Sequence, residues 1–303
     1  MSEHRHPTVR HRRPAFVAAL AVTLIYAVVE LAGGLWSGSL ALVSDAGHMF
    51  SDAGALALAA IAVWLARRPP GLRHSYGWAR AEVIGASLNG LLMLGVIVVL
   101  AVEAVERLLE PQPVIGGGVM VIAFIGLLLN GAVAYMLGSG EHNLNTRAAL
   151  LHVVSDLIGS LAALIAGAVI YFTGWLPIDP ILSLVIAGLI LFSTLRLLRD
   201  AVHVLMEGVP WAVDLEHIGE TLAQVTGVAS VHDLHVWSIT SGQVALSAHL
   251  EIDSLAAWPR ILADAREVMR GRFGIDHVTL QPEPRGTTTA QTAVVRLWPP
   301  RPR

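Results

Sequence analysis

The chain has 303 residues, 54% of them hydrophobic and only 14% charged, where an ordinary soluble domain carries about 25% charged residues. That balance excludes a purely soluble protein, because several apolar runs reach the roughly 20 residues that a helix needs to cross a bilayer. The lack of cysteine excludes disulfides, thiolate metal sites and redox switching, and the net charge of −3 gives no ground for expecting a nucleic-acid partner.

The chain opens on a basic arm, residues 1–13, that contains His4, His6 and His11. The first apolar run has no A-x-A-like cleavage site after it, so it reads as a retained span rather than a signal peptide. Six spans are expected, over residues 14–36, 40–66, 79–108, 115–138, 145–173 and 178–205. Gly and Pro mark the breaks, at Gly33-Gly34, Pro69-Pro70-Gly71, Pro111 to Gly118, Gly138/Gly140 and Pro177/Pro180,. Arg5, Arg10, Arg12 and Arg13 precede the first span, Arg67, Arg68, Arg73 and Arg80 follow the second, and Arg196 and Arg199 lie near the end of the sixth. The loops between carry almost no positive charge, so the positive-inside rule predicts a multi-pass protein of the cell's inner (plasma) membrane with both termini in the cytoplasm.

Spans one to six form a membrane domain over residues 14–208. After Pro210 the composition changes, and a soluble domain is expected over residues 209–285. Helix-period and alternating patterns predict a helix over 213–226, strands over 230–239 and 243–252 joined by a turn at Ser241-Gly242, a helix over 256–273 and a strand over 277–281,. The order α-β-β-α-β predicts a small open sheet with helices on one face. The fold class is therefore an α-helical membrane protein with six transmembrane helices and a C-terminal cytoplasmic α+β domain. The Thr-, Pro- and Arg-rich tail, 286–303, is expected to be disordered.

One phrase occurs twice inside the apolar spans: His48-Met49-Phe50-Ser51-Asp52 in the second and His152-Val153-Val154-Ser155-Asp156 in the fifth. Four residues is just over one helical turn, so each His/Asp pair shares a helix face. An ionisable group inside a span costs at least about 2.5–3.5 kcal/mol and needs a partner, a watered cavity or a metal. Spans two and five are the middle spans of two three-span halves, an inverted repeat of the kind that carries transporter sites. Two nitrogens and two carboxylates make a tetrahedral set suited to Zn2+, with both charges of the ion neutralised. An imidazole that releases metal near neutral pH takes up a proton, so metal and protons compete for the same atoms. The rival reading of each pair is an intrahelical hydrogen bond.

Asp45 lies one turn before His48 and reads as an orienting group, a proton relay or a cap. Asn89 and Asn130 sit mid-span, where an amide either hydrogen-bonds a site carboxylate or joins helices. Glu30, Glu82, Glu103 and Glu106 are further candidates for a cavity lining, the last two near a helix end.

Four segments carry a family resemblance: Ser44-Asp-Ala-Gly-His-Met-Phe-Ser-Asp52, Tyr76-Gly-Trp-Ala-Arg-Ala-Glu82, Asn143 through Asp156, and Asp233-Leu-His-Val-Trp-Ser-Ile-Thr-Ser-Gly242. They resemble the cation diffusion facilitators, and most of all the branch of bacterial zinc transporters and cobalt–zinc–cadmium resistance proteins. The resemblance implies a homodimer of six-span subunits with cytoplasmic ferredoxin-like (metallochaperone-like) domains, exporting Zn2+ against an inward proton flow. It matches the transport site to His48, Asp52, His152 and Asp156. It also implies a charge interlock at Arg80 and Glu207, with Arg in place of the usual Lys, for which a solvated surface pair is the plain alternative. A cytoplasmic metal site is implied at His232, His249 and Glu283. Gln281 stands where a bridging His is usual, which argues for one metal per subunit rather than two. His74 matches a regulatory loop position. His235 reads as packing, and the short loop at 138–147, with only His142, lacks the histidine-rich intake segment of many relatives.

Zinc is thus expected as cargo and as a regulatory ligand, with the lipid bilayer, divalent metals and protons as partners. A broader exporter of Cd2+, Co2+, Fe2+ or Mn2+ is the first alternative, and a membrane-anchored metal sensor another. An enzyme is not expected: four protein ligands leave no open coordination position, and no H-E-x-x-H motif occurs,.

Overall fold

The computed structural model of the protein describes residues 13–66, 68, 71–138, 144–240 and 242–285. The histidines of the N-terminal arm, Arg67, His142, Ser241 and the 286–303 tail lie outside the described residues.

Six long helices come first: α1 (Arg13–Ser37), α2 (Leu40–Ala66), α3 (Ala81–Leu109), α4 (Gly116–Gly138), α5 (Leu144–Thr173) and α6 (Ile178–Leu205). Each agrees with its expected span to within two residues at either end. Among the described residues, the stretches Ala81–Leu109, Gly116–Tyr135, Val153–Thr173 and Ile178–Leu205 are each long and apolar enough to cross a membrane. Val99, Phe124, Tyr171 and Phe192 are exposed on helix surfaces, while Glu30, Asp45, Asn89, Asn130, Asp156 and Asp179 are buried. Apolar groups outside and polar groups within are what a lipid solvent selects.

One expected break is absent. Gly33 and Gly34 lie inside α1, and their role is close packing: a Cβ at Gly33 would fall on the Ile122 side chain, and one at Gly34 on Val43. The same logic joins α4 to α5, where a Cβ on Gly116 would stand 2.8 Å from the Gly167 carbonyl oxygen and 2.7 Å from the Tyr171 nitrogen. Helices in lipid gain nothing from hydrophobic exclusion, so bare backbone allows the contact that holds them.

The described residues fall into two compact units, one containing residues up to 58 and 88–197, the other 59–87 and those from 198 onward. The end of α2, the turn after it and the start of α3 thus pack in the same unit as the end of α6 and the soluble domain. In that domain α7 (Leu215–Ala223) starts at Asp214, whose carboxylate accepts from the His217 N–H at 3.1 Å,. It is followed by β1 (Val228–Thr240), β2 (Gln243–Ile252), a 3-10 turn at Leu255–Ala257, α8 (Trp258–Phe273) and β3 (His277–Pro284). The sheet order is β1-β2-β3, with β1/β2 antiparallel and β2/β3 parallel. The parallel pair needs a crossover, and α8 supplies it; Gly274, at φ 65°, ends that helix in the left-handed conformation,.

One sheet face packs Val231, Leu234, Val236, Leu246, Leu250, Ile252 and Leu280 against Ile218 and Leu222 of α7 and Ile261, Ala265 and Met269 of α8. The core positions on β1 are spaced by three and then two residues, because the pairing register shifts between His232 and His235. The extra residue is a bulge, and it leaves both His232 and Asp233 off the core face.

Candidate functional site

In the membrane domain, His48 and Asp52 share a face of α2, with Nε2 and Oδ2 3.5 Å apart. Both line a cavity of about 140 Å3 together with Ser51, Asn89 of α3, and Ser193 and Thr194 of α6; Gly90, Met93, Ile190 and Leu197 complete its wall. A cavity of this volume, with polar groups on three helices, has room for several waters,. Asn89 Nδ2 donates to Ser51 Oγ at 3.4 Å, so its amide meets the cavity through a hydroxyl beside Asp52.

On α5, Asp156 is buried. His152 lies one turn before it on the same helix, and its side chain is outside the described residues. Asp45, also buried, faces α5 at Gly159, where an added Cβ would collide with its carboxylate. A glycine there is the condition for that carboxylate to lie between the two helices. Glu30 does not line the His48 cavity. It is fully buried on α1 and accepts from the Tyr26 hydroxyl at 3.2 Å. Asn130 donates to Ser160 at 3.4 Å, helix-to-helix. Glu103 pairs with Arg107 at 2.8 Å on α3.

The second constellation sits on the sheet face away from the helices. His232 pairs directly with His249, and His249 with Gln281, so the three stand in one row across β1, β2 and β3. Glu283, two residues beyond Gln281, points from the same face by strand alternation. Its Oε2 lies 3.0 Å from His232 Nε2 and its Oε1 2.8 Å from His249 Nδ1. Ligand atoms of His232, His249 and Glu283 all fall within 4.8 Å of one another, the only such group of three among the described residues. Burial tends to raise the Glu283 carboxyl, but the neighbouring charges of His232 and His249 and their hydrogen bonds outweigh it and hold it below its usual range,. Two imidazoles and a carboxylate fit zinc, with a fourth position left for water or another ligand. Gln281 Nε2 donates to Glu283 Oε1 at 3.3 Å, which braces the carboxylate.

The remaining predicted residues stand apart from both groups. His74 stacks on Trp78 with ring centroids 4.6 Å apart and joins no three-ligand group among the described residues. Arg80 and Glu207 form an ion pair at 2.9 Å with both side chains more than a third exposed. Glu82 accepts from the Thr240 hydroxyl of β1 at 3.0 Å instead of lining an intramembrane cavity.

Two residues that sequence reasoning passed over matter here. Asp233 lies 3.6 Å from His249 Nε2 and 3.1 Å from His235 Nε2. Its signal was the three-residue step from Val231 to Leu234, which breaks strict alternation. Asp179 binds the start of α2 from the first turn of α6, and no sequence pattern joins positions that far apart.

Residues 16–206 match the family model described as the cation efflux transmembrane domain, and residues 210–285 that of the cation efflux protein cytoplasmic domain. The chain is 40% identical over 268 residues to the zinc transporter ZitB of Escherichia coli (strain K12), covering 88% of this chain and 85% of that protein. It is 37% identical over 286 residues to the cadmium, cobalt and zinc/H(+)-K(+) antiporter of Bacillus subtilis (strain 168), covering 92% and 91%. With the metal cation efflux system protein CzcD of Cupriavidus metallidurans it shares 38% over 281 residues, covering 92% and 88%.

Proposed function

Because this chain belongs to the cation diffusion facilitator family, multi-pass cation efflux transporters rather than enzymes, we propose that it exports Zn2+ from the cytoplasm in exchange for protons through His48, Asp52, His152 and Asp156. The observation that carries this reading is the repeated His/Asp pair, whose first copy lines a cavity with further polar groups inside an apolar bundle. Successive spans alternate in direction, so α2 and α5 are antiparallel. With Asp45 against Gly159, the run from His48 to Asp52 then lies alongside Asp156 and His152. Two imidazoles and two carboxylates favour Zn2+ over ions that prefer all-oxygen sites. The same imidazoles accept protons when the metal leaves, which couples release to proton entry. Asp45, one turn before His48, orients it or relays its proton, and Asn89 holds Ser51 beside Asp52.

In this reading the protein is a homodimer with both termini in the cytoplasm, and the name of the zinc transporter relative favours zinc as cargo. The names of the other two relatives keep Cd2+ and Co2+ as candidate cargo. Arg80 and Glu207 fix the start of α3 to the end of α6. His232, His249 and Glu283 hold a regulatory Zn2+ in each cytoplasmic domain, and His74 is a weak loop ligand.

The test is uptake of radioactive zinc into inside-out proteoliposomes under an imposed pH gradient, wild type against Asp52→Ala and Asp156→Ala. Transport that survives both substitutions removes the site, and zinc uptake without proton flux in the wild type removes the exchange.

A further inference from the structure

The cytoplasmic cluster contains a group that its three ligands do not explain. Asp233 is one of only two non-glycine residues with positive φ among those described, at 52°. A residue with a side chain persists in this left-handed region only where its surroundings hold it there, and Asp tolerates it better than most. It stands in the β1 bulge, and the extra residue there turns its carboxylate to the same sheet face as His232 and His249,.

The two nitrogens of His249 face different partners. Nδ1 lies 2.8 Å from Glu283 Oε1, inside the ligand group, while Nε2 lies 3.6 Å from Asp233 Oδ2. Asp233 Oδ1 is in turn 3.1 Å from His235 Nε2, which braces the carboxylate from the solvent side. Asp233 therefore meets the ring at the end opposite the ligand position. An imidazole that ligates a metal through one nitrogen is set in tautomer and orientation by what accepts the proton of the other.

We propose that Asp233 is a positioning residue of the cytoplasmic zinc site: its carboxylate, at ion-pair distance (3.6 Å) from His249 Nε2, electrostatically favours the proton on that nitrogen and so leaves the Nδ1 lone pair directed at the metal position between His232 and Glu283. The bulge and its strained backbone are then part of the site. This inference rests on the reading of His232, His249 and Glu283 as a metal site.

The experiment uses the full chain in lipid nanodiscs, with Asp52→Ala and Asp156→Ala present so that the transport position adds no binding. Zn2+ affinity is read by competition with a chromogenic chelator, and the ligand field by the visible absorption of bound Co2+. His249→Ala and Glu283→Ala should each abolish cytoplasmic binding; if neither changes it, the metal site itself is wrong and the inference falls with it. Asp233→Gly keeps the positive φ and removes the carboxylate. It should weaken Zn2+ binding by about 10- to 100-fold and shift the Co2+ spectrum. Asp233→Asn keeps both the conformation and the side-chain shape but removes the charge, and should weaken binding likewise. With the metal site intact, unchanged affinity in either Asp233 variant overturns the proposal.

Discussion

Asp179, in the first turn of α6, accepts a hydrogen bond from the Ser39 hydroxyl at 2.5 Å, 140 positions earlier in the chain, and from the Leu40 N–H at 2.6 Å. Ser39 Oγ in turn accepts from the Leu42 N–H at 3.3 Å. The first N–H groups of a helix have no partner within it, and those of α2 are met by a carboxylate from another span. That anchors the helix carrying His48 and Asp52 at the end ahead of the site. Asp179→Ala leaves buried donors unpaired, at about 1–3 kcal/mol. The expected outcome is a Tm several degrees lower in detergent-solubilised protein, with Asp179→Asn intermediate. An unchanged Tm in Asp179→Ala would show that the cap carries no stability.

The α4–α5 contact tolerates no side chain at Gly167, since a Cβ there would stand 2.8 Å from the Met120 nitrogen and 3.0 Å from the Gly116 carbonyl oxygen. Backbone cannot move aside as a side chain can. Gly167→Val should therefore cost more than the roughly 1–3 kcal/mol of ordinary overpacking. Size-exclusion profiles and Tm should reveal a poorly folded product, whereas Gly188→Ala, in open space on α6, should leave both unchanged.

The lowered Glu283 carboxyl sets a direction for pH dependence. A carboxyl whose folded value lies below its unfolded value of about 4.3 binds fewer protons when folded. Its stabilisation is fully present above that unfolded value and is lost as pH falls through the folded one. Denaturant unfolding of the metal-free chain between pH 3 and 6, conditions of about that range, should show Glu283→Gln with a flatter acid limb than wild type. Parallel limbs would contradict the assignment.

Arg80 and Glu207 are too exposed for their ion pair to add more than about 0–1 kcal/mol,. If the pair fixes geometry, Arg80→Glu should reduce zinc transport with little change in Tm. The reversed double variant, Arg80→Glu with Glu207→Arg, should recover it. Transport unaffected by the single charge reversal would reduce the pair to a surface contact.

His48→Asp exchanges an imidazole for a carboxylate that can bind through one oxygen or two, which relaxes the tetrahedral requirement. Parallel flux measurements should find Cd2+ uptake raised relative to Zn2+. A variant that remains as zinc-selective as wild type would show that His48 does not set the cargo.

The six long helices were readable because lipid demands long apolar runs with little charge, and breaks are written in Gly and Pro. Gly33-Gly34 misled for a physical reason: a glycine pair marks a turn or a close approach equally well, and only the position of Ile122 and Val43 on neighbouring helices distinguishes them. The strands were readable from alternation, although β1 and β3 run beyond the expected ends. The row of His232, His249 and Gln281 depends on register, which a bulge of one residue alters.

Periodicity and residue chemistry alone established the membrane class, the α-β-β-α-β order and the four-residue His/Asp spacing, because each is a local property of a helix or strand. Cavity, cap and orientation belong to the fold in three dimensions. The walls that α3 and α6 lend to His48 and Asp52, the hold of Asp179 on α2 and the reach of Asp233 to the far nitrogen of His249 all join residues distant in sequence or turned by a bulge. Such contacts exist only once helices and strands have packed, and they decide which of the polar groups in the chain face one another.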